Sequence, residues 1–217
     1  MTKLLLSKAL NDYAEAYSTP ESTVLAKLNR ETNMKVQQSQ MLSGHLQGAF
    51  LSMISHMLKP KNVLELGTYT GYSAICLAQG ITAGGQLHTI DINEELKDMS
   101  FRYFCEAGLE GTIIQHIGKA ADIIPGLDME FDLVFIDADK QNYPLYYNLV
   151  FDKIPVGGYI LADNVLFEGD VLLPENEQSK NAKAMNAFNQ KIKADDRIEQ
   201  VILPLRDGLT LIRKIKN

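Results

Sequence analysis

The chain has 217 residues, of which 46% are hydrophobic and 22% are charged, and its formal net charge is −6. This length and composition are those of one well-packed globular domain, and the negative charge argues against nucleic acid as the main partner, since phosphate binding needs a basic face. No apolar run is long enough to span a bilayer, and the short apolar run at residues 4–6 is no signal peptide. We therefore expect a cytoplasmic protein without a membrane partner.

Residues up to about position 59 are predicted to be helical. The run at 18–21, Ser-Thr-Pro-Glu, is typical of a helix start, with a capping hydroxyl before a first-turn proline. A later helix ends just before Pro60 and carries apolar residues at 3.6-residue spacing, which predicts one apolar face. The members of that face are Leu46, Ala49, Phe50, Met53, Ile54 and Met57.

From Asn62 onward the pattern changes to alternating strands and helices. The predicted strands are 62–66, 86–91, 112–116, 131–136 and 156–162. Such alternation indicates a parallel sheet that is covered by helices on both faces.

The C-terminal part of the chain departs from this alternation. A helix near 180–193 is followed by apolar runs at 198–203 and 209–215, separated by a short turn at 204–208. Because that turn cannot hold a crossover helix, the two runs are predicted to form an antiparallel hairpin. The whole chain is thus predicted to be α/β, with a Rossmann-like, doubly wound, seven-stranded and mostly parallel sheet preceded by N-terminal helices.

A glycine-rich turn follows the first predicted strand. Gly67 and Gly71 lie in this turn, and Asp91 ends the next strand. A strand, a glycine turn and an acid on the second strand are typical of a site for an adenosine-containing cofactor, in which the acid accepts the ribose hydroxyls. The alternative is that the turn only connects a strand to a helix.

Glu65, near the end of the first strand, favours one type of cofactor. The turn lacks the G-x-G-x-x-G spacing of dinucleotide sites. A carboxylate at this position suits a cationic amine and would repel a pyrophosphate. S-adenosylmethionine carries an ammonium and a sulfonium, so the sequence favours methyl transfer.

A second acidic group follows two later strands. Asp137 ends one of them, and Asp163 and Asn164 end the next. The ends of parallel strands lie at one edge of a sheet, so these side chains are expected to converge. Two carboxylates and an amide oxygen suit Mg²⁺ or Ca²⁺, although such acids can instead cap helices. Lys140 could act as a base beside a cation, or it could be a solvated surface lysine.

The cysteines and histidines indicate no further site. Cys76 and Cys105 are interpreted as buried, reduced thiols inside helices. The four histidines are scattered along the sequence without zinc-ligand spacing.

Together these motifs resemble the cation-dependent class I O-methyltransferases, the group that contains the caffeoyl-CoA and catechol O-methyltransferases. The resemblance covers nearly the whole chain. Its motifs are at 28–32, 41–48, 65–73, 137–140, 162–165 and 207–209. It implies a single domain over residues 1–217, with a helical N-terminal cover at 1–59 and a Rossmann-like core at 60–217.

The resemblance also implies site residues and partners. The contacts to S-adenosylmethionine would be Ser43, Glu65, Gly67, Thr68, Ser73, Asp91 at the ribose, Ala120 at the adenine, and Asp139. The ligands of a divalent cation, Mg²⁺ or else Ca²⁺ or Mn²⁺, would be Asp137, Asp163 and Asn164. Lys140 would be the general base. The family usually forms homodimers, which is the state expected here.

The implied reaction is transfer of a methyl group from S-adenosylmethionine to one hydroxyl of a catechol-like aromatic acceptor. Two departures from the plant caffeoyl-CoA enzymes argue against CoA esters as acceptors. Residues 1–20 show no match for the plant basic residue that contacts CoA, and the loop at 165–170 differs from theirs. Two other functions remain as alternatives, an NAD-dependent oxidoreductase and a non-enzymatic S-adenosylmethionine-binding regulator.

Overall fold

The structure, a computed structural model, describes residues 7–217, so the apolar run at 4–6 lies outside it. Over the described part of the chain, seven strands form one sheet in the order β3-β2-β1-β4-β5-β7-β6. The sheet is mostly parallel with antiparallel C-terminal strands, and helices flank it, which confirms the predicted fold class. The chain divides into two compact units, Ser7–Lys119 and Ala120–Asn217.

The first unit contains the N-terminal helices and three parallel strands. In chain order its elements are α1 Lys8–Ala16, α2 Thr23–Lys35, α3 Gly44–Leu58, β1 Asn62–Leu66, α4 Tyr72–Ala78, β2 Gln86–Asp91, α5 Lys97–Glu106 and β3 Ile113–Ile117. Single 3-10 turns lie at Ser39–Met41 and Glu94–Leu96. In the register of β1 with β2, Glu65 is the partner of Thr89.

The second unit contains the last four strands. Its elements are α6 Ala120–Ile123, β4 Leu133–Ile136, α7 Tyr143–Phe151, β5 Tyr159–Asp163, α8 Lys180–Ala194, β6 Ile198–Leu203 and β7 Leu209–Lys214, with 3-10 segments at Ile124–Gly126, Lys140–Asn142 and Phe167–Leu172. β4 and β5 are parallel with Ile136 opposite Ala162. β7 is antiparallel to both β5 and β6, so the predicted hairpin is confirmed.

The strands that carry the candidate site residues are almost entirely buried. All four residues of β4 are fully buried, and so are Val63, Leu64 and Leu66 of β1. Burial of each such side chain stabilises the fold by about 1.5–3 kcal/mol relative to leaving it exposed. Rigid strands therefore end at the polar groups described below.

The predicted start of the second helix is wrong. α2 begins at Thr23, and its cap is Ser22, whose hydroxyl accepts the Leu25 N–H at 3.3 Å. The preceding segment is engaged in tertiary contacts instead. The Glu21 carboxylate accepts the Tyr72 hydroxyl at 2.5 Å, and Nε2 of His45 lies 2.6 Å from the carbonyl of Thr19.

The face of α3 that is buried is not the apolar face that the sequence predicts. The buried residues of the helix are Gln47, Gly48, Leu51 and Ser55. Small residues allow close packing on α4: a Cβ on Gly48 would lie 2.5 Å from the Tyr72 ring, and the Ser55 hydroxyl donates to the Leu77 carbonyl at 2.5 Å. Met53 and Met57, which belong to the apolar face, are therefore exposed.

One prediction for the cysteines is wrong, and two of the histidines lie in contact. Cys76 is buried as predicted, but Cys105 is exposed. His88 and His116, far apart in sequence, meet across β2 and β3 with stacked rings and a 3.0 Å contact between Nδ1 and Nε2. Among residues 7–217 no group of three or more His, Cys, Asp or Glu is placed to hold a metal ion, and no helix has the length and apolar character to cross a bilayer.

The His88–His116 pair predicts a loss of stability in mild acid. Burial lowers the pKa of both imidazoles, and for His88 the neighbouring ring lowers it further. Below about pH 6.5 the unfolded chain therefore takes up protons that the folded pair resists, so stability is lost as the pH falls toward the folded pKa values. Urea unfolding at about pH 7.5 and 5.5 should show a larger drop in the free energy of unfolding for the parent than for His116→Gln. Equal drops would contradict this prediction.

Candidate active site

The glycine-rich turn after β1 depends on left-handed backbone. Gly67 and Gly71 have φ angles of 101° and 91°, and Tyr69 between them has 48°. The Gly67 N–H donates to the Ile90 carbonyl at 2.9 Å, and the Gly71 N–H donates to Thr68 at 2.8 Å. A Cβ on Gly71 would lie 2.6 Å from the Phe104 ring, so a larger residue does not fit there. The turn therefore brings bare backbone to the C-terminal edge of β1.

Glu65 lies fully buried near the end of β1. The hydroxyl of Thr89 donates to its Oε2 at 2.5 Å. The Thr68 hydroxyl is 2.5 Å from that of Thr89, and it must be the donor because the Thr89 proton is already used. This chain of hydrogen bonds fixes the Glu65 carboxylate. Sequence reasoning missed Thr89, which the register of β1 with β2 would have placed beside Glu65.

Asp91 supports the same turn from the end of β2. One carboxylate oxygen accepts the Tyr69 N–H at 2.7 Å, and the other accepts the Asn93 N–H at 2.8 Å. Each oxygen keeps a lone pair for a further donor. Asp91 therefore shapes the turn itself, a role that the sequence analysis did not foresee, and its predicted contact with a ribose stays a prediction.

The other predicted cofactor contacts divide between the two units. Ser43 precedes α3 and Ser73 lies in the first turn of α4, and both are buried in the first unit. Ala120 begins α6 of the second unit. Asp139 belongs to the second unit as well, and its carboxylate accepts hydrogen bonds from Tyr146 and Asn142.

The helix α2 is attached to the glycine-rich turn by side chains. The hydroxyls of Thr32 and Thr70 are both buried and lie 3.1 Å apart. The Tyr69 hydroxyl donates to the Gln37 carbonyl, just beyond α2, at 3.0 Å. The N-terminal helices thus contact the turn directly.

Glu31 of α2 is held by three partners. Tyr103 donates to it at 2.6 Å, Arg102 donates to both of its oxygens at 3.0 Å, and Lys35 lies at 3.1 Å. These hydrogen bonds, with that of Tyr103 the largest effect, lower the pKa of Glu31 to about 2. The bonds from Arg102 and Tyr103 connect α2 to α5.

A second polar group lies at the ends of β4 and β5. Nζ of Lys140 is 2.8 Å from Oδ1 of Asp137 and 2.9 Å from the Tyr143 hydroxyl. That hydroxyl is also 3.0 Å from the carbonyl oxygens of Ile136 and Asp163, the last residues of the two strands. Tyr143, fully buried, therefore ties the two strand ends together and was missed because a helix-start tyrosine gives no sequence signal of this contact.

The acids of this group are not helix caps. Asp137 pairs with Lys140, while Asp139, which does precede the 3-10 segment, makes no capping hydrogen bond. Asp163 is buried, and its Oδ1 accepts the backbone N–H of Asn164 at 2.8 Å. The alternative that these acids cap helices therefore fails for Asp137, Asp139 and Asp163.

Lys140 is not a solvated surface lysine, because only 14% of its side chain is exposed. Burial acts to lower the pKa of its ammonium, but the charges of Asp137, Tyr143 and Asp163 outweigh burial and hold the pKa above its ordinary value. The hypothesis that Lys140 acts as a base concerns a lysine beside a cation, and it stays a prediction.

Asp207, a buried residue of the turn between β6 and β7, holds the segment that follows Asn164. The Glu168 N–H donates to its carboxylate at 2.5 Å, and the Leu166 N–H donates to its carbonyl at 3.0 Å. Burial raises the pKa of Asp207, while the N–H of Glu168 and the charge of Lys140 act to lower it. Asp207 thus belongs to the same polar group.

The loop after Asn164 closes on itself. Nε2 of Gln178 donates to the carbonyls of Leu173 at 2.8 Å and Val171 at 3.2 Å. The Glu177 N–H donates to Pro174 at 2.8 Å. These contacts, two of which come from the Gln178 side chain, all lie within residues 171–178.

Comparison with known proteins gives consistent results. The profile of the O-methyltransferase family matches residues 15–215. A caffeoyl-CoA O-methyltransferase of Medicago sativa is 33% identical, over 98% of this chain and 91% of its own, and a probable caffeoyl-CoA O-methyltransferase of Dictyostelium discoideum is 31% identical, over 98% and 94%. A Podospora anserina methyltransferase solved with S-adenosylhomocysteine has a TM-score of 0.87 at 27% identity, covering 95% of this chain and 94% of its own.

A further solved relative is an O-methyltransferase from Bacillus cereus in complex with S-adenosylhomocysteine. Its TM-score is 0.84 at 27% identity, over 95% of this chain and 97% of the other. These matches support an O-methyltransferase rather than the oxidoreductase or the non-enzymatic binder. The chain belongs to the S-adenosylmethionine-dependent O-methyltransferase family.

Proposed function

We propose that the chain methylates one hydroxyl of a small, free catechol-like acceptor that is chelated by a divalent cation. The observation that carries this proposal is the group at the ends of β4 and β5, in which a buried lysine lies 2.8 Å from one of two strand-end acids. A protein that only binds S-adenosylmethionine needs no such group.

The first unit provides residues that fit S-adenosylmethionine. Glu65 offers a carboxylate to the ammonium of the methionine end, and Asp91 offers lone pairs to the ribose hydroxyls. Residues 67–71 offer open backbone. Ser43, Thr68 and Ser73 add hydroxyls at the start of α3, in the turn and at the start of α4. Ala120 and Asp139 are proposed as the remaining contacts.

The second unit provides residues that fit a divalent cation. Asp137, Asp163 and Asn164 carry only oxygen ligands, the type that Mg²⁺, Ca²⁺ and Mn²⁺ prefer. The set supplies two carboxylates and one amide. A cation that takes six or more oxygen ligands could therefore also bind the oxygens of the acceptor. When bound, a divalent cation supplies a positive charge that lowers the pKa of a nearby hydroxyl.

Lys140 is proposed to take the proton of the acceptor hydroxyl that receives the methyl group. A cation held by Asp137 and Asp163 would offset the carboxylate charges that raise the pKa of Lys140, and the lysine could then accept the proton. Glu65 and Asp91 hold the methyl donor in one orientation. The reaction forms an oxygen–carbon bond and breaks the sulfur–carbon bond, and much of its rate comes from holding both reactants in place.

The loop after Asn164 favours an acceptor without phosphates. Residues 165–179 contain Glu168, Asp170, Glu175 and Glu177 and no lysine or arginine. Coenzyme A carries several phosphate charges, which these acids would repel. The loop also presents apolar side chains, with Leu172 strongly exposed. An uncharged or cationic aromatic acceptor fits this composition better than a CoA ester.

The test is a methylation assay on a panel of free catechols, flavonoids and hydroxycinnamates beside caffeoyl-CoA, with the products identified by mass spectrometry. We expect the highest kcat/KM with a free vicinal diol. A preference for caffeoyl-CoA would refute the acceptor class, and methylation of acceptors that lack a second hydroxyl at equal rates would refute chelation.

Removing the Asp91 carboxylate is expected to weaken binding of S-adenosylmethionine. Asp91→Ala leaves ribose hydroxyls without their acceptor and frees the Tyr69 N–H, at a cost of about 1–3 kcal/mol, or roughly 5- to 150-fold in Kd. Titration calorimetry measures this loss. Asp98→Ala, which removes an equal charge from an exposed position of α5, is the control. If Asp91→Ala bound as tightly as the parent, the assignment would be wrong.

The N-terminal helices are proposed to cover the active site and to form a homodimer. Their contacts with the glycine-rich turn, such as that between Thr32 and Thr70, support the first role. The exposed methionines of α3, Met53 and Met57, support the second, because they leave an apolar face open to a second copy. Sedimentation of a monomer at micromolar concentration would count against the dimer.

A further inference from the structure

A buried chain of hydrogen bonds ends at Glu65, and β2 supplies its middle member. Thr89 is the register partner of Glu65, and its hydroxyl donates to Oε2 of the carboxylate at 2.5 Å. The Thr68 hydroxyl, 2.5 Å from that of Thr89, donates to it in turn. Glu65 and Thr89 are fully buried, and Thr68 is nearly so. Both hydroxyl dipoles therefore point toward one oxygen of a buried carboxylate.

The backbone holds this chain in place, because the turn that carries Thr68 is bonded to β2 on both sides of that residue. The Gly67 N–H donates to the Ile90 carbonyl at 2.9 Å, and the Tyr69 N–H donates to the Asp91 carboxylate at 2.7 Å. The same strand carries the middle hydroxyl of the chain. The separation of the two threonine hydroxyls is therefore fixed by the packing of the turn on β2.

The hydroxyl of Thr89 acts on Glu65 in two ways. It offsets part of the free-energy cost of burying the charge, because hydrogen bonds to ionised groups are stronger than those between neutral groups. It also keeps the carboxylate in one orientation before any ligand arrives, and a binding group that is already ordered loses less entropy on binding. Thr89 is not itself suited to contact a ligand, since it is fully buried and its only hydroxyl proton is given to Glu65.

We propose that Thr89, supported by Thr68, is a positioning residue that holds Glu65 ready for the ammonium group of S-adenosylmethionine. This role rests on the contact between Glu65 and that ammonium proposed above. Because Thr89 acts through the carboxylate, it should contribute to affinity only for ligands that carry the amino group.

The test compares two ligands of the full chain by titration calorimetry. S-adenosylhomocysteine carries the ammonium, whereas 5′-methylthioadenosine has the same adenosine and sulfur without the amino-acid end. Thr89→Val keeps the branched shape and removes the hydroxyl. We expect its Kd for S-adenosylhomocysteine to rise roughly 3- to 10-fold, about the effect of one lost hydrogen bond, and its Kd for methylthioadenosine to stay unchanged.

Two further variants serve as controls. Thr89→Ser keeps the hydroxyl and should bind S-adenosylhomocysteine nearly as tightly as the parent. Thr210→Val removes the hydroxyl of another fully buried threonine, in β7 of the second unit, and should leave the affinity for both ligands unchanged.

A second background tests whether Thr89 acts through Glu65. Glu65→Gln removes the negative charge that attracts the ammonium, so it should weaken binding of S-adenosylhomocysteine. In that background Thr89→Val should cause no further loss, because no carboxylate is left to be held. Two residues that act through one contact are non-additive in this way.

Four results would overturn the proposal. Equal losses of Thr89→Val for both ligands would show that Thr89 supports only the turn, and an equal loss in both backgrounds would show that it does not act through Glu65. Unchanged binding by Thr89→Val beside weakened binding by Glu65→Gln would remove the role of Thr89 alone. If Glu65→Gln bound S-adenosylhomocysteine as tightly as the parent, the proposed contact with the ammonium would be wrong, and the role of Thr89 would fall with it.

Discussion

Asp163→Ala is expected to abolish methylation of catechols while leaving S-adenosylmethionine binding nearly normal. Asp163 is buried at the end of β5, where the proposed cation would be held, whereas Glu65 and Asp91 lie in the other unit. Loss of the cation removes several kcal/mol of stabilisation from the transition state, so kcat/KM should fall more than about 100-fold.

The measurement is a rate assay with excess EDTA and then with added Mg²⁺, Mn²⁺ or Ca²⁺, beside calorimetry of S-adenosylmethionine. Asp163→Asn keeps an acceptor for the Asn164 N–H, and it tests whether loss of the negative charge alone is enough to abolish methylation. Asp152→Ala, an exposed acid after α7, is the charge-matched control. Full activity of the parent in EDTA would remove the metal from the mechanism.

Lys140→Ala should keep cation and cofactor but lower kcat by roughly 10²- to 10⁴-fold, the usual contribution of a positioned base. The ammonium lies within hydrogen-bond distance of both Asp137 and Tyr143, so its place in the group is fixed. Raising the pH should partly restore the rate of the variant, because a hydroxyl near the cation can then ionise without help.

Lys140→Arg distinguishes a base from a fixed positive charge. Arginine keeps the charge but does not lose its proton in proteins, so it should be as slow as Lys140→Ala if the lysine is the base. An active arginine variant would mean that the charge alone matters. Lys183→Ala, on the exposed surface of α8, is the control. If Lys140→Ala were as fast as the parent at neutral pH, another base would have to be found.

The elements could be predicted because their periodicity is local. The β6 segment at 198–203 matches its prediction, and the hairpin with β7 follows from a turn too short for a helix. The ends of elements depend on distant partners. β4 begins at Leu133 rather than two residues earlier, and α2 begins at Thr23 because the residues before it contact Tyr72 and His45.

For the candidate site, residues at strand ends could be predicted, whereas the side chains that support them could not. Topology alone places Asp137 beside Asp163. Thr89 and Tyr143 act through strand register and side-chain reach, which no sequence motif encodes. The direction of the Lys140 pKa likewise depends on distances to three neighbours. The buried face of α3 could not be predicted from apolar periodicity, because glycine and serine pack there in place of large apolar residues.

The hydrogen bonds of Gln178 have a consequence for how such an enzyme can change its acceptor. Because the hydrogen bonds of the Gln178 side chain stay within residues 171–178, we expect that this loop can be exchanged without disturbing the strand ends that Tyr143 ties together. Mutations that alter the length or charge of this loop should have little effect on the methyl-transfer step. Natural divergence and laboratory evolution could therefore reassign the acceptor by working on one short stretch of chain.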